Sequence, residues 1–264
     1  MSKPKPRFWL RYEPEIEFDI ARLRPPSLPR GKRFETLQDA KDESLRSEAV
    51  LRRAGAGSAA EYLNDCRLGA YDCEKSFCPV CARNFRRWYT GQMLKETVDR
   101  RTHVVTVLLD KVGRGELTGV TLTKHRSVLR KRLRKTVSDA NVIGCFEMVY
   151  KARQKVWVLH INLLIIGAKQ KDVDAFRAEW RNSSLERPIM AERVRNRAEQ
   201  ISYVPKFGTY HRPYAQGGPT KSPAKSLNPR EHKELVQWMS QFDFQDLMFL
   251  HNSKRMGSEI KLRG

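Results

Sequence analysis

Two kinds of hydrophobic patterning run along the chain. Thr102 to Leu109 (THVVTVLL) is β-branched and apolar throughout, which predicts a buried strand. Asn141 to Tyr150 and Lys155 to Ile166 carry the same signature. The short polar link Lys151 to Gln154 joins them and predicts a hairpin, although that turn lacks glycine. Helical spacing appears over residues 36–63, in pieces broken at Gly55 to Gly57. A second helix is expected from Pro79, a residue suited to a first helical turn, to about Arg100. Residues 115–137 predict a long helix with Leu122, Leu129, Leu133 and Val137 near one face. Residues 170–182, the stretch around 190–207 and residues 229–241 also read as helices, the last before a short basic tail. Residues 212–230 hold four prolines and two adjacent glycines and read as a long loop.

Strands separated by helices around a central hairpin predict an α+β fold, a central antiparallel sheet flanked by helices; a parallel doubly wound sheet is the alternative. The chain divides into a basic, proline-rich arm (1–35), a helical segment with clustered cysteines (36–100), a core (101–211), and a basic loop with a carboxy-terminal helix (212–264).

Charge adds a constraint on partners. Lys and Arg number 51 against 30 Asp and Glu in 264 residues, a net charge of +21. A surplus of that size suits a polyanionic partner; a ribosome-associated protein fits it as well as a DNA-binding one. The longest apolar stretch, Val156 to Gly167, is interrupted by His160 and Asn162 and is too short to span a bilayer. Met1 to Leu10 lacks an apolar export signal. A cytoplasmic protein without a membrane partner is expected.

Cys66, Cys73, Cys78 and Cys81 fall within sixteen residues, spaced C-x6-C-x4-C-x2-C. The pair Cys78-Pro79-Val80-Cys81 is a knuckle that can place two thiolates on one tetrahedral ion, so the cluster predicts a closed, structural Zn²⁺ site. Arg67, Lys75 and Arg83 are near enough in sequence to favour thiolates. Four reduced core thiols or a redox pair are the alternatives, the latter without the strand-helix context of a thioredoxin. Arg83, Arg86 and Arg87, followed by Trp88 and Tyr89, suit phosphate contact with base stacking; the competing reading is a solvated helix face with Trp88 in the core.

The segment Trp157 to Ile165 (WVLHINLLI) places His160 and Asn162 on one face of a strand. Two polar groups there are costly to bury without partners. In the predicted hairpin, Glu147 faces position 159 or 160. Glu147, His160 and Asn162 then offer a carboxylate, an imidazole and an amide oxygen, a set suited to Mg²⁺ or Mn²⁺. A core histidine paired with Glu147 is the alternative. Tyr203-Val204-Pro205-Lys206 sets a phenol and an ammonium close in sequence, and a phenol can attack a phosphodiester when its charge is offset. An interfacial tyrosine and a surface lysine would look the same. Finally, Lys124, Arg126, Arg130, Lys131, Arg134 and Lys135 crowd one helix with almost no acid between them, and predict a DNA-binding face.

In this order the segments resemble the plasmid and phage rolling-circle replication initiators of the HUH endonuclease superfamily. CEKSFCPVCARNFRRW is similar to the cysteine-rich segment before the nuclease core in one initiator group, THVVTVLL to the first motif, WVLHINLLI to the second and YVPK to the third. The resemblance spans roughly residues 66–210. It implies an HUH/RRM-like sheet and nicking and rejoining of single-stranded or origin DNA through a phosphotyrosine. Tyr203 would be the nucleophile, Lys206 its electrostatic helper and His160 a ligand to Mg²⁺ or Mn²⁺, and a host helicase would be a further partner. Asn162 stands where the family usually has a second histidine. Some viral members carry glutamine there, with a glutamate from the neighbouring strand as third ligand, a role that Glu147 fits. A DNA- or RNA-binding descendant without catalysis is the alternative.

Overall fold

Thr36 opens the first helix: its hydroxyl accepts from the Asp39 amide at 3.1 Å while the Asp39 carboxylate accepts from the Thr36 amide at 2.9 Å, a reciprocal cap that satisfies two otherwise orphaned donors. The computed structural model describes residues 35–181, 183–195, 197–211 and 225–263; the amino-terminal arm and most of the proline-rich loop lie outside them. Helix α1 (Leu37–Arg53) is followed by α2 (Gly57–Leu68), which ends at Gly69 in the left-handed region (φ 82°), a conformation that costs glycine nothing. The Arg67–Glu48 ion pair at 2.6 Å and the Ser44 hydroxyl on the Leu63 carbonyl hold α2 to α1. Helix α3 (Pro79–Glu96) begins with Pro79 in its first turn, as expected, and stops four residues short of Arg100.

The sheet follows in the order β1 (Thr102–Gly113), α4 (Thr123–Thr136), β2 (Asn141–Lys151), β3 (Val156–Ile166), α5 (Gln170–Ala178), β4 (Ile189–Arg193). A fifth strand, β7 (Met248–His251), arrives after α6 (Arg197–Ser202), the two-residue strands β5 (Tyr210–His211) and β6 (Lys225–Ser226), α7 (Pro229–Met239) and α8 (Phe244–Leu247). A small hairpin of β8 (Ser253–Met256) and β9 (Glu259–Leu262) closes the described chain. The five strands lie in the order β4-β1-β3-β2-β7, and every neighbouring pair is antiparallel. The antiparallel expectation therefore holds, and the doubly wound alternative does not form.

Several sequence-derived boundaries change. The long helix expected over 115–137 is a single 3₁₀ turn at Leu117–Gly119 and then α4. The stretch read as helix around 190–207 opens as edge strand β4, and only α6 is helical. What reads as a basic tail contains β7, β8 and β9.

Register divides the side chains cleanly. Phe146 is opposite Ile161, and Gly144 opposite Leu163 and Phe249. Helix α4 covers this face, its Arg126 guanidinium 5.0 Å from the Phe146 ring and Arg130 5.5 Å from Phe249, with Leu129 and Leu133 fully buried between them. Helix α5 lies on the same side, where Gln170 meets the buried His103 at 3.2 Å. The alternate residues Thr106, Cys145, Glu147, His160 and Asn162 point to the opposite face.

At Gly144 an added Cβ would lie 2.2 Å from the Asn162 carbonyl oxygen and 2.6 Å from Leu163 Cδ2. Backbone cannot yield as a flexible side chain does, so Gly144→Ala is expected to cost about 2 kcal/mol or more in chemical denaturation. Unchanged stability would show that the strands stand further apart. In α7, His232 is buried with no partner for Nε2 among the described residues, and burial pulls its pKa down to about 4. The unfolded chain takes up that proton near pH 6.5 and the folded one only near 4. Stability is expected to fall by up to ~3 kcal/mol as pH drops through that window, and His232→Leu to flatten this part of the pH–stability curve.

Candidate functional site

Cys66 lies near the end of α2, Cys73 in the loop, Cys78 at the N-cap of α3 and Cys81 in its first turn. All four are buried and free of disulfides. Their sulfurs lie within 4.8 Å of one another, with separations of 3.5, 3.7 and 3.6 Å for the pairs 66–81, 73–81 and 66–78. Tetrahedral zinc with Zn–S bonds of about 2.3 Å sets its sulfurs about 3.8 Å apart. The four cysteines could therefore hold a structural zinc ion without rearrangement of the chain.

The thiols bias one another. Hydrogen bonding from Cys73, then from Cys78 and Cys81, drives Cys66 far below the ordinary thiol range, while sharing with Cys66 pushes Cys78 and Cys81 up. The basic residues expected to favour thiolates are engaged elsewhere: Arg67 binds Glu48, the Lys75 ammonium sits 5.4 Å over the Tyr62 ring, and Arg83 donates to the Glu35 carbonyl.

That last contact corrects the reading of the arginine run. Arg83 and Arg86 are buried, and Arg86 pairs with the buried Glu35 carboxylate at 2.7 Å. They tie the entry of α1 to α3 and present no open cationic face. Arg87 is half-buried, and Trp88 and Tyr89 belong to the core.

On α4, Lys124, Arg130, Lys131, Arg134 and Lys135 are exposed. Lys135 meets Glu179 at 2.7 Å, and Arg126 lies over Phe146 while donating to the Asp246 carbonyl. This cationic face is on the side of the sheet away from Glu147.

Glu147 stands directly opposite His160, within the expected pair of positions, and Asn162 faces Thr106 on one side and Cys145 on the other. The Thr106 hydroxyl donates to Asn162 Oδ1 at 2.8 Å, and Asn162 Nδ2 donates to Glu147 Oε2 at 3.1 Å. The other carboxylate oxygen, Oε1, receives the Lys206 ammonium at 3.2 Å. Lys206 in turn lies 5.2 Å from the centre of the Tyr203 ring, which is 43% exposed. Threonine, amide, carboxylate, ammonium and phenol form one line from the sheet interior to the surface.

His160 stands beside this line but outside it. The alternative, a His160–Glu147 hydrogen-bonded pair, does not form, and Nε2 is buried without a hydrogen-bond partner among the described residues. Burial, then the charges of Lys151 and Lys206, pulls its pKa down to about 3, so the ring is neutral near pH 7, the form that binds metal. Tyr203-Val204-Pro205-Lys206 forms the turn that leaves α6. Phe207 anchors that turn, packed edge-on against Phe85 of α3 at 5.6 Å and Phe244 of α8 at 5.4 Å.

Comparison of the chain with protein-family models, curated proteins and solved structures gives no match. Chemistry alone carries the reading. Among the described residues, the cysteines are the only group of three or more His, Cys, Asp or Glu side chains that converge on one point. At the second site, His160 and Glu147 would need Asn162 as third donor. Sequence reasoning singled out all three, with Tyr203 and Lys206, but not the role of Thr106, because only strand register shows that its hydroxyl meets the Asn162 amide.

Metal-replete protein is expected to contain close to one zinc per chain by elemental analysis, and Cys81→Ser to contain almost none. The same substitution should destabilise the protein by about 3 kcal/mol or more, because α3 loses the tie between its first turn and α2. Full stability with no bound zinc would identify the cluster as four core thiols.

Proposed function

We propose that the chain nicks and rejoins single-stranded DNA through Tyr203, as a rolling-circle replication initiator of plasmid or phage type. The observation that carries this reading is the neutral His160 imidazole, its buried Nε2 without a partner among the described residues, on the same strand face as the Glu147–Lys206 pair that leads to the exposed Tyr203. The order βαββαβ, with strands arranged β4-β1-β3-β2, supports an HUH/RRM-like core.

The residues have separable tasks. The Tyr203 oxygen attacks the scissile phosphorus and its phenolic proton leaves to solvent; the bond to the 3′ oxygen breaks, that oxygen takes up a proton from solvent, and a 5′-phosphotyrosine and a free 3′-hydroxyl remain. Attack by a 3′-hydroxyl reverses the step and rejoins the strand. Lys206 offsets phenolate and phosphate charge at the ring it overlies. His160 Nε2 and a Glu147 oxygen would hold Mg²⁺ or Mn²⁺, with Asn162 Oδ1 as the weaker third donor; a bound ion of this kind polarises the phosphate. The cation-rich face of α4 would engage DNA, and the fold would work in the cytoplasm with origin DNA and a host helicase.

One observation favours a second reading, a zinc-containing DNA- or RNA-binding protein without catalysis. Asn162 receives from Thr106 and donates to Glu147, and Glu147 is already neutralised by Lys206. That set is satisfied with no cation.

The test is a denaturing gel of purified protein with labelled single-stranded origin DNA and Mn²⁺. A covalent adduct is expected, reduced by at least about a thousandfold in Tyr203→Phe and in His160→Ala. Salt-sensitive DNA binding without an adduct would leave the binding-protein reading. A preference for structured RNA over single-stranded DNA would remove both DNA readings.

A further inference from the structure

A second cationic site lies where the sheet edge meets α6, and no part of the proposed nicking centre uses it. Arg100 and Arg101 lead into β1, Arg193 ends β4 and Arg197 begins α6; with Asp99 and Thr102 they line a concavity of about 340 Å³. Nearly a hundred residues of sequence separate the first of these arginines from the last, so the fold and not local sequence gathers them. Arg100, Arg101 and Arg193 are exposed, and none of the four pairs with a carboxylate among the described residues. Three buried or half-buried arginines differ in this respect: Arg86 has Glu35, Arg67 has Glu48, and Arg132 lies 3.9 Å from the Trp180 ring.

The backbone around the concavity is fixed before any ligand arrives. The Val194 amide donates to the Thr102 carbonyl at 2.9 Å, joining the end of β4 to the start of β1. The Gly167 amide donates to the Arg101 carbonyl at 2.8 Å, and the Arg195 amide to the Gln200 side chain at 2.7 Å. Asp99 takes a left-handed turn (φ 55°) just before Arg100. Next door, burial holds His103 below its ordinary pKa, and Arg101 and Arg193 both add to that effect, as two guanidiniums directed at one region would.

Four arginines line the concavity against a single carboxylate, Asp99, which leaves a net positive rim that an anion would neutralise, and planar guanidinium forks match phosphate oxygens two at a time. Helix α6 connects this concavity to Tyr203. Its six residues rise about 9 Å, two to three base steps at the roughly 3.4 Å spacing of a stacked strand. We infer that the arginine concavity is a phosphodiester subsite for single-stranded DNA, gripping the backbone two to three nucleotides from the phosphate at Tyr203. Its position along the strand rests on the nicking reading; its affinity for backbone phosphate does not.

The experiment measures binding of a labelled oligothymidylate of about twenty nucleotides as a function of salt, for the full chain, Arg101→Gln/Arg193→Gln, Arg101→Lys/Arg193→Lys and, as a two-charge control at exposed arginines outside both cationic sites, Arg53→Gln/Arg153→Gln. Each phosphate contact to a single strand contributes about 0.7 to the slope of log affinity against log salt. Removing two charges at the concavity should make that slope shallower by about 1.4 and weaken binding roughly tenfold near 0.1 M salt, while the lysine pair retains most of the slope. An unchanged slope in the glutamine pair overturns the subsite, as does an effect seen only with oligouridylate. Inorganic phosphate, titrated calorimetrically, separates the other source of the same chemistry. Heat of binding that the glutamine pair abolishes, with the oligothymidylate slope intact, would mark a small-anion pocket and also overturn the proposal.

The covalent-adduct assay on these variants keeps the two readings apart. A shallower slope in the glutamine pair, with no adduct from any protein, leaves the subsite standing and removes the nicking. Adduct formation with unchanged slopes removes the subsite alone.

Discussion

A carboxylate buried in the middle of a β-sheet must be neutralised or fully hydrogen-bonded, and Glu147 imposes that demand on everything around it. Leaving such a charge uncompensated costs several kcal/mol, and Glu147 is only 6% exposed. Two groups offset the cost: the Lys206 ammonium on one oxygen and the Asn162 amide on the other. Lys206 comes from a turn more than fifty residues away, so the pair forms only if that turn is held against this face. Phe207 does the holding, packed edge-on against Phe85 of α3 and Phe244 of α8, whose own rings stack on each other at 4.6 Å and 9°. The start of α3 is tied in turn to the cluster by Cys78 at its N-cap and Cys81 in its first turn. A continuous line of packing thus runs from the cysteine cluster through α3 and Phe207 to Lys206 and Glu147. Loss of the cluster should therefore be felt at Tyr203, although the two share no direct contact.

The same register that gathers the polar line also separates it from α4. Neighbouring residues of a strand point to opposite faces, so Phe146 goes to Arg126 and Glu147 to Lys206. A nucleic acid lying on Tyr203 cannot at that point also lie on the exposed cations of α4. Contacts to both would require a strand that passes around the sheet edge or two separate stretches of nucleic acid. The concavity of Arg101, Arg193 and Arg197 sits at that edge, where β1 begins and β4 ends. The positive charge of the chain is therefore distributed over distinct surfaces, which summed composition could not show.

Legibility from sequence followed the strength of local patterning. The hairpin of β2 and β3 is readable because two long β-branched runs flank a four-residue polar link, and its symmetry places Glu147 opposite position 159 or 160, of which the register selects His160. The cysteine spacing needed no fold at all. Strand β4 was misread because Ile189–Arg193 is short, lies at a sheet edge and alternates weakly, and charged neighbours mimic a helix. The strands after α8 are four residues each with Lys and Arg interspersed, too short for periodicity to separate them from a tail. Arg83 and Arg86 were misassigned for another reason: a run of arginines looks like a phosphate surface unless the buried Glu35 that neutralises it is known. The arginine concavity was invisible because its members are dispersed between positions 100 and 197.

The orientation of Asn162 bears most directly on what the site can do. Glu147 offers only acceptors, so the amide must direct Nδ2 at it, and Oδ1 is left toward the Thr106 hydroxyl. In this orientation the amide oxygen and the Glu147 oxygens do not face one common point as co-ligands would. Bringing Oδ1 to a cation held by Glu147 and His160 means rotating the amide and giving up its bond to Glu147. The same cation would compete with the Lys206 ammonium for Oε1. A divalent ion is stronger compensation for a buried carboxylate than one amide and one ammonium, and it would also satisfy His160 Nε2. Lys206, displaced from Glu147, would then be released beside the Tyr203 ring, where a phenolate needs it. Under the nicking proposal, metal binding and activation of Tyr203 would be one rearrangement, with Glu147 as the group that trades one partner for the other.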